Sequence, residues 1–294
     1  MAHYLQKLVK RFKEGTPQGI FAVCSANEFV LASLMEFGRK HDAVVLVEAT
    51  SNQVNQFGGY TGMVPVDFVN FVIGLAHRAG LPLDKLILGG DHLGPNPWRK
   101  EPAAEAMAKA RVLVQEYVKA GFTKIHLDAS MHLGDDGDRS VALPPELIAQ
   151  RTAELCQAAE EAYAELITEN PNAVQPVYVI GTEVPVPGGH QEELGELLPT
   201  PKEAARTTLE THRAAIEAAG LGDIWPRISA LVVQPAVEFD HLKVVDYRSE
   251  GTVELRTVLD AEPNLVFEAH STDYQTADAQ IGRASCRERV SFLV

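Results

Sequence analysis

The chain has 294 residues, 46% of them hydrophobic and 22% charged, which is enough to bury a large core, and its net charge of −14 argues against non-specific nucleic-acid binding. Cys24, Cys156 and Cys286 are far apart and lack C-x-x-C spacing, which argues against a disulfide framework or a thiolate zinc site. No apolar run approaches the roughly 20 residues that span a bilayer, and residues 1–15 are polar and amphipathic rather than signal-like, so no membrane association and a cytoplasmic location are expected.

Strands are predicted near residues 19–25, 43–48, 86–91, 124–128, 177–183, 229–235 and 265–270. Their Val, Ile and Leu content, bounded by Gly or Pro, suits strands buried on both faces. Helical patterns lie between them at 65–79, 102–119, 144–169 and 201–219. The first carries Phe68, Val69, Val72, Ile73 and Ala76 at one-face spacing. Proline stands at the expected first turn of the last two, where its missing N–H costs nothing, and Gly121 suits the C-cap of the second. Alternation of strand and helix predicts a parallel sheet in an α/β fold, specifically a TIM (β/α)8 barrel left incomplete at about seven strands. Residues 134–139 (Gly-Asp-Asp-Gly-Asp-Arg) read as a solvated loop, since the twelve-residue calcium pattern is absent. The barrel is assigned to residues 1–280. The tail 281–294 carries three Arg against one Glu and is set aside as a non-native segment, the alternative being a basic C-terminal helix.

Reactive residues stand at the ends of the predicted strands, where a barrel of this kind collects its catalytic groups. Residues 48–62 form an amide- and glycine-rich loop. In it Asn52 and Gln53 suit sugar hydroxyls, while Gly58 and Gly59 suit a mobile lid or a phosphate contact, although ordinary turns use the same residues. Asp91 is a candidate for proton exchange with a substrate hydroxyl, and His92 for metal binding through a neutral ring nitrogen. His126 and Asp128 share one face of their strand. Asp128 is a candidate catalytic or supporting carboxylate, and His126 either contacts substrate or is a buried, satisfied imidazole. Glu183 is a candidate base or ligand.

His241 and His270 complete a set of three strand-end imidazoles with His92. Such a set is typical of catalytic zinc, with manganese or another divalent ion as alternatives. Ser271 and Asp273, beside His270, are assigned to substrate. Cys24 is expected to be a core residue. No G-x-x-x-x-G-K-[ST] run exists, so a P-loop kinase is not expected.

Several segments together resemble one family: residues 48–63, Gly-Gly-Asp-His-Leu-Gly-Pro-Asn (89–96), Lys-Ile-His-Leu-Asp-Ala-Ser (124–130), Ile-Gly-Thr-Glu-Val-Pro-Val-Pro-Gly-Gly (180–189), Val-Glu-Phe-Asp-His (237–241) and Glu-Ala-His-Ser-Thr-Asp-Tyr-Gln (268–275). They are similar to the GatZ/KbaZ family, the Z-type subunits of D-tagatose-1,6-bisphosphate aldolase, itself similar to class II metal-dependent aldolases. The resemblance implies a proton-transfer role for Asp91 and a metal role for His92, with His241 and His270 as further ligands. It also implies a phosphorylated ketose substrate, an oligomeric state, a Y-type catalytic subunit as partner, and a chain that continues through an eighth strand. Two alternatives stay open: a metal-dependent ketose 4-epimerase working by retro-aldol and aldol steps, and a metal-free stabilising subunit.

Overall fold

In the computed structural model, residues 3–16, 19–181, 198–236, 238–239, 244–245 and 249–269 are described. Seven strands form one parallel sheet: β1 (Ala22–Cys24), β2 (Val45–Thr50), β3 (Leu86–Leu93), β4 (Lys124–Leu127), β5 (Val177–Ile180), β6 (Ile228–Val232) and β9 (Val266–Glu268), in that spatial order. Between β6 and β9 the chain makes a two-stranded antiparallel ribbon, β7 (Glu238–Phe239) and β8 (Val244–Val245). The sheet curls into an incomplete (β/α)8 barrel, as the strand–helix alternation implies. The ribbon was not expected; two-residue strands leave too little alternation to be read.

The helices are α1 (Tyr4–Lys13), α2 (Glu28–His41), α3 (Pro65–Ala79), α4 (Ala103–Ala120), α5 (Pro145–Glu169) and α6 (Lys202–Ala218). Pro65 and Pro145 stand at first helical positions, but Pro102, Pro144 and Pro201 are N-cap residues. The extended ψ of Pro102 and Pro201, 150° and 142°, lies in the range proline favours, so the ring fits one residue earlier than expected. Asn27 caps α2 by accepting from the N–H groups of Phe29 and Val30.

Along most of the sheet side chains alternate. Val47, Ile125, Tyr178, Leu231 and Phe267 point outward into the helix layer, where Phe68, Leu113, Ile216 and Leu259 bury them. Leu46, Ile87, Val177, Val179, Ala230, Val232 and Val266 point inward and meet Leu5, Leu8 and Val9 of α1. The amphipathic N-terminal helix is therefore a plug of the barrel interior. His3 sets its start: Nδ1 accepts from Leu5 N at 3.1 Å, and Gln6 Oε1 accepts from His3 N at 3.1 Å.

Residues 134–139 are mostly exposed, as expected of a solvated loop, and they also hold structure: Asp136 takes both terminal nitrogens of Arg151 at 2.8 and 2.5 Å, and Asp135 accepts from Ala103 N at 2.7 Å. The loop thereby ties α4 to α5. Cys24 is exposed rather than part of the core, because β1 is an edge of the described sheet.

Candidate metal and acid–base site

The site is built at the C-terminal ends of β3 and β4. Neighbours on a strand normally face opposite ways, yet Asp91 and His92 both belong to one buried cluster with His126. The register between β3 and β4 shifts between Gly90 and Leu93, and His92 has φ 49°, a left-handed backbone uncommon for a residue with a side chain. The irregularity is held on every side. Ser51 Oγ donates to His92 O at 2.9 Å, Asp128 N donates to Leu93 O at 3.0 Å, and His92 N lies 3.2 Å from His126 Nδ1.

The four polar side chains form a chain of contacts. Asp128 Oδ2 lies 3.0 Å from His92 Nδ1, and Asp91 Oδ1 lies 2.8 Å from His126 Nδ1. Asp91 Oδ2 is 3.8 Å from His92 Nε2. Asp128 is fixed in turn by Ser130, whose N and Oγ donate to its Oδ1 at 3.0 and 2.6 Å. A carboxylate on Nδ1–H fixes the tautomer that leaves Nε2 as the basic nitrogen, the arrangement found behind metal-binding imidazoles. One candidate ligand atom from each of Asp91, His92 and His126 lies within 4.8 Å of the others, so the donor set fits a divalent ion.

The electrostatics follow from burial and pairing. For Asp128 burial disfavours charge, but the hydrogen bond and charge of His92 outweigh it and bring its pKa to about 2. For His92 burial disfavours the cation, and Asp91 with Asp128 reverses that, raising its pKa to about 9. His126 is lowered, chiefly by burial, so it is a neutral imidazole at pH 7.

Beneath this cluster lies a second polar layer that the sequence reading did not assign. Lys124, wholly buried, stands two residues before His126 on the same face of β4. Its Nζ lies 2.7 Å from Glu48 Oε1 on β2 and 2.8 Å from Glu268 Oε1 on β9. Gly89 makes room for this layer: a Cβ there would sit 2.5 Å from Glu48 Oε1. Its lack of a side chain therefore serves packing. Counting back two from His126 and from His270 would have found Lys124 and Glu268.

Asn52, Gln53, Gly58 and Gly59 lie in the turn after β2. Gln53 is buried, its Oε1 accepting from Thr50 N at 2.8 Å, and Asn55 Oδ1 accepts from Phe57 N and Gly59 N. Gly59 has φ 55°, and a Cβ there would lie 2.3 Å from Gln53 O, so the turn requires glycine. Glu183, His241, His270, Ser271 and Asp273 lie outside the described residues, as does the tail 281–294.

A sequence profile described as "D-tagatose-1,6-bisphosphate aldolase subunit GatZ/KbaZ-like" matches residues 5–285. The chain is similar to a crystal structure described as a probable tagatose 6 phosphate kinase from Sinorhizobium meliloti 1021, with 44% identity and TM-score 0.79, over 94% of this chain and 64% of that one. It thus spans less than two thirds of that relative's length. The YdjI aldolase from Escherichia coli K12 matches at 12% identity and TM-score 0.58, over 100% of this chain and 81% of that one. A fructose-bisphosphate aldolase from Campylobacter jejuni matches at 16% identity and TM-score 0.51, over 98% and 74%. The last two show a shared fold.

Proposed function

Because the chain belongs to the GatZ/KbaZ-like family of D-tagatose-1,6-bisphosphate aldolase subunits, we propose that it is a component of a metal-dependent aldolase acting on a phosphorylated ketose, alongside a Y-type catalytic subunit in the cytoplasm. The observation that carries this is the buried Asp91–His92–His126–Asp128 cluster at the ends of β3 and β4. Among the described residues no helix is long and apolar enough to cross a membrane.

His92 and His126 would hold the ion, zinc or its competitor manganese, beside Asp91, with His241, His270 and Glu183 as further candidate ligands. Bound there, a divalent cation supplies Lewis-acid polarisation of a carbonyl oxygen. The chain's own groups do the rest. Aldol cleavage needs a base for the C4 hydroxyl proton and a donor that returns a proton to C3 once the C3–C4 electron pair has moved into the carbonyl half. Asp91, 2.8 Å from His126 Nδ1, is placed to take the first proton, and the His126 imidazole orients it. Asp128, held by Ser130, keeps His92 oriented. Asn52, beside the self-bonded Gln53–Gly59 turn, and Ser271 with Asp273 are the candidate substrate contacts. The kinase description of the S. meliloti relative finds no phosphate-binding G-x-x-x-x-G-K-[ST] loop in this sequence.

The test is to load the protein with zinc or manganese and follow D-tagatose 1,6-bisphosphate and D-fructose 6-phosphate by NMR, with and without a Y-type subunit. Trioses formed by this chain, or extra trioses from the pair that vanish in Asp91→Asn, support the assignment. A C4 epimer without trioses replaces it with epimerisation. Unchanged sugars throughout, with no effect on the partner, would end it.

A further inference from the structure

The lysine beneath the cluster is itself a bound cation. Three side chains from strands that are not neighbours meet across the barrel interior: Lys124 from β4, Glu48 from β2 and Glu268 from β9, all essentially inaccessible to solvent. Asp91, from the layer above, interacts electrostatically with both Lys124 and Glu48. Three carboxylates thus surround one ammonium at hydrogen-bond or Coulombic range. Buried carboxylates without a counter-charge are costly, and an all-oxygen donor set suits hard divalent ions such as manganese or magnesium. The layer above offers imidazole nitrogen, which suits zinc and manganese.

We propose that Lys124 is a built-in cation that determines metal placement: it fills the oxygen-lined position and confines a divalent ion to Asp91, His92 and His126 above it. This rests on the metal-centre assignment under Proposed function. A merely mechanical strap between strands would have no effect on how many ions the protein binds.

The experiment uses the full metal-free chain as wild type, Lys124→Met, Lys124→Met/Glu48→Gln and Lys124→Arg, each also with His92→Ala. Mn²⁺ binding is counted from the electron paramagnetic resonance of the free ion, and thermal melts are recorded with and without Mn²⁺. Wild type and Lys124→Arg should bind one equivalent and lose it with His92→Ala. Lys124→Met should gain a further equivalent that survives His92→Ala and disappears with Glu48→Gln, and Mn²⁺ should raise its melting temperature. The inference is overturned if Lys124→Met binds no more Mn²⁺ than wild type, or stays unfolded at every Mn²⁺ concentration, since a cation should replace the ammonium. If wild type binds none while Lys124→Met/His92→Ala gains one, the upper metal centre fails and the role of Lys124 stands.

Discussion

The two sides of the barrel interior are built on the same backbone and filled with opposite chemistry. On β5 and β6 the inward residues are Val177, Val179, Ala230 and Val232, packed against Leu5, Leu8 and Val9 of α1. On β2 to β4 the inward positions begin apolar, with Leu46 and Ile87, and then become Glu48, Asp91, Lys124, His126 and Asp128, all buried. The apolar side gains stability directly from burial. The charged side recovers its desolvation cost only through pairing, at 2.7 to 3.0 Å, of each charge with an opposite charge or an imidazole. One side therefore holds the barrel together, and the other holds groups that gain nothing from being there unless they bind or react.

That contrast is sharpest at Asp91. Asp91→Asn keeps the shape and removes the base, so turnover of the loaded protein, alone or with its Y-type partner, should fall about 10²–10⁴-fold while the melting temperature stays close to wild type. A large loss of stability with activity retained would reverse the roles of the two sides. The opposite result belongs to α1. Leu8→Ala should cost about 2–4 kcal/mol in denaturant unfolding and leave metal affinity unchanged. A shift in metal affinity would mean the plug and the site are coupled.

Within the charged side, Asp128→Asn removes the charge that orients His92 and should weaken metal binding about 10- to 100-fold, measured by competition with a chelator. Affinity equal to wild type would remove Asp128 from that role. The smallest effect separates the sides by pH. Burial, then Lys7, lowers the pKa of His3 to about 4, below the ordinary 6.5. The unfolded chain therefore binds more protons between those values. Its contribution, at most roughly 3 kcal/mol, is complete above about pH 6.5 and is lost as the pH falls towards 4. His3→Asn, which retains a capping oxygen, should flatten unfolding stability across that window; an unchanged slope would exclude the cap as its origin.

Much of the barrel was readable because its signal is local. Seven apolar runs correspond to seven strands within a few residues, and the period of two places His126 and Asp128 on one face. What escaped depends on contacts distant in sequence. Lys124 and Glu268 are 144 positions apart and meet only because the sheet curls, so each looked like an ordinary polar strand residue. The amphipathic face of α1 was visible, but its partners on β5, β6 and β9 were not. Pairing Asp91 with His126 and His92 with Asp128 required the irregular backbone at His92, which no propensity announces. The amide-rich turn misled in a different way: Gln53 and Asn55 hydrogen-bond their own loop, an engagement that composition does not distinguish from readiness for a sugar.

The most direct test of the central claim, a metal-binding cluster on the charged side, is a Co²⁺ titration of the metal-free protein followed by visible absorption. One equivalent should produce intensified, shifted d–d bands typical of nitrogen and carboxylate ligation, and His92→Ala and His126→Ala should each change or abolish them. A spectrum indistinguishable from aqueous Co²⁺, or bands indifferent to both substitutions, would contradict it.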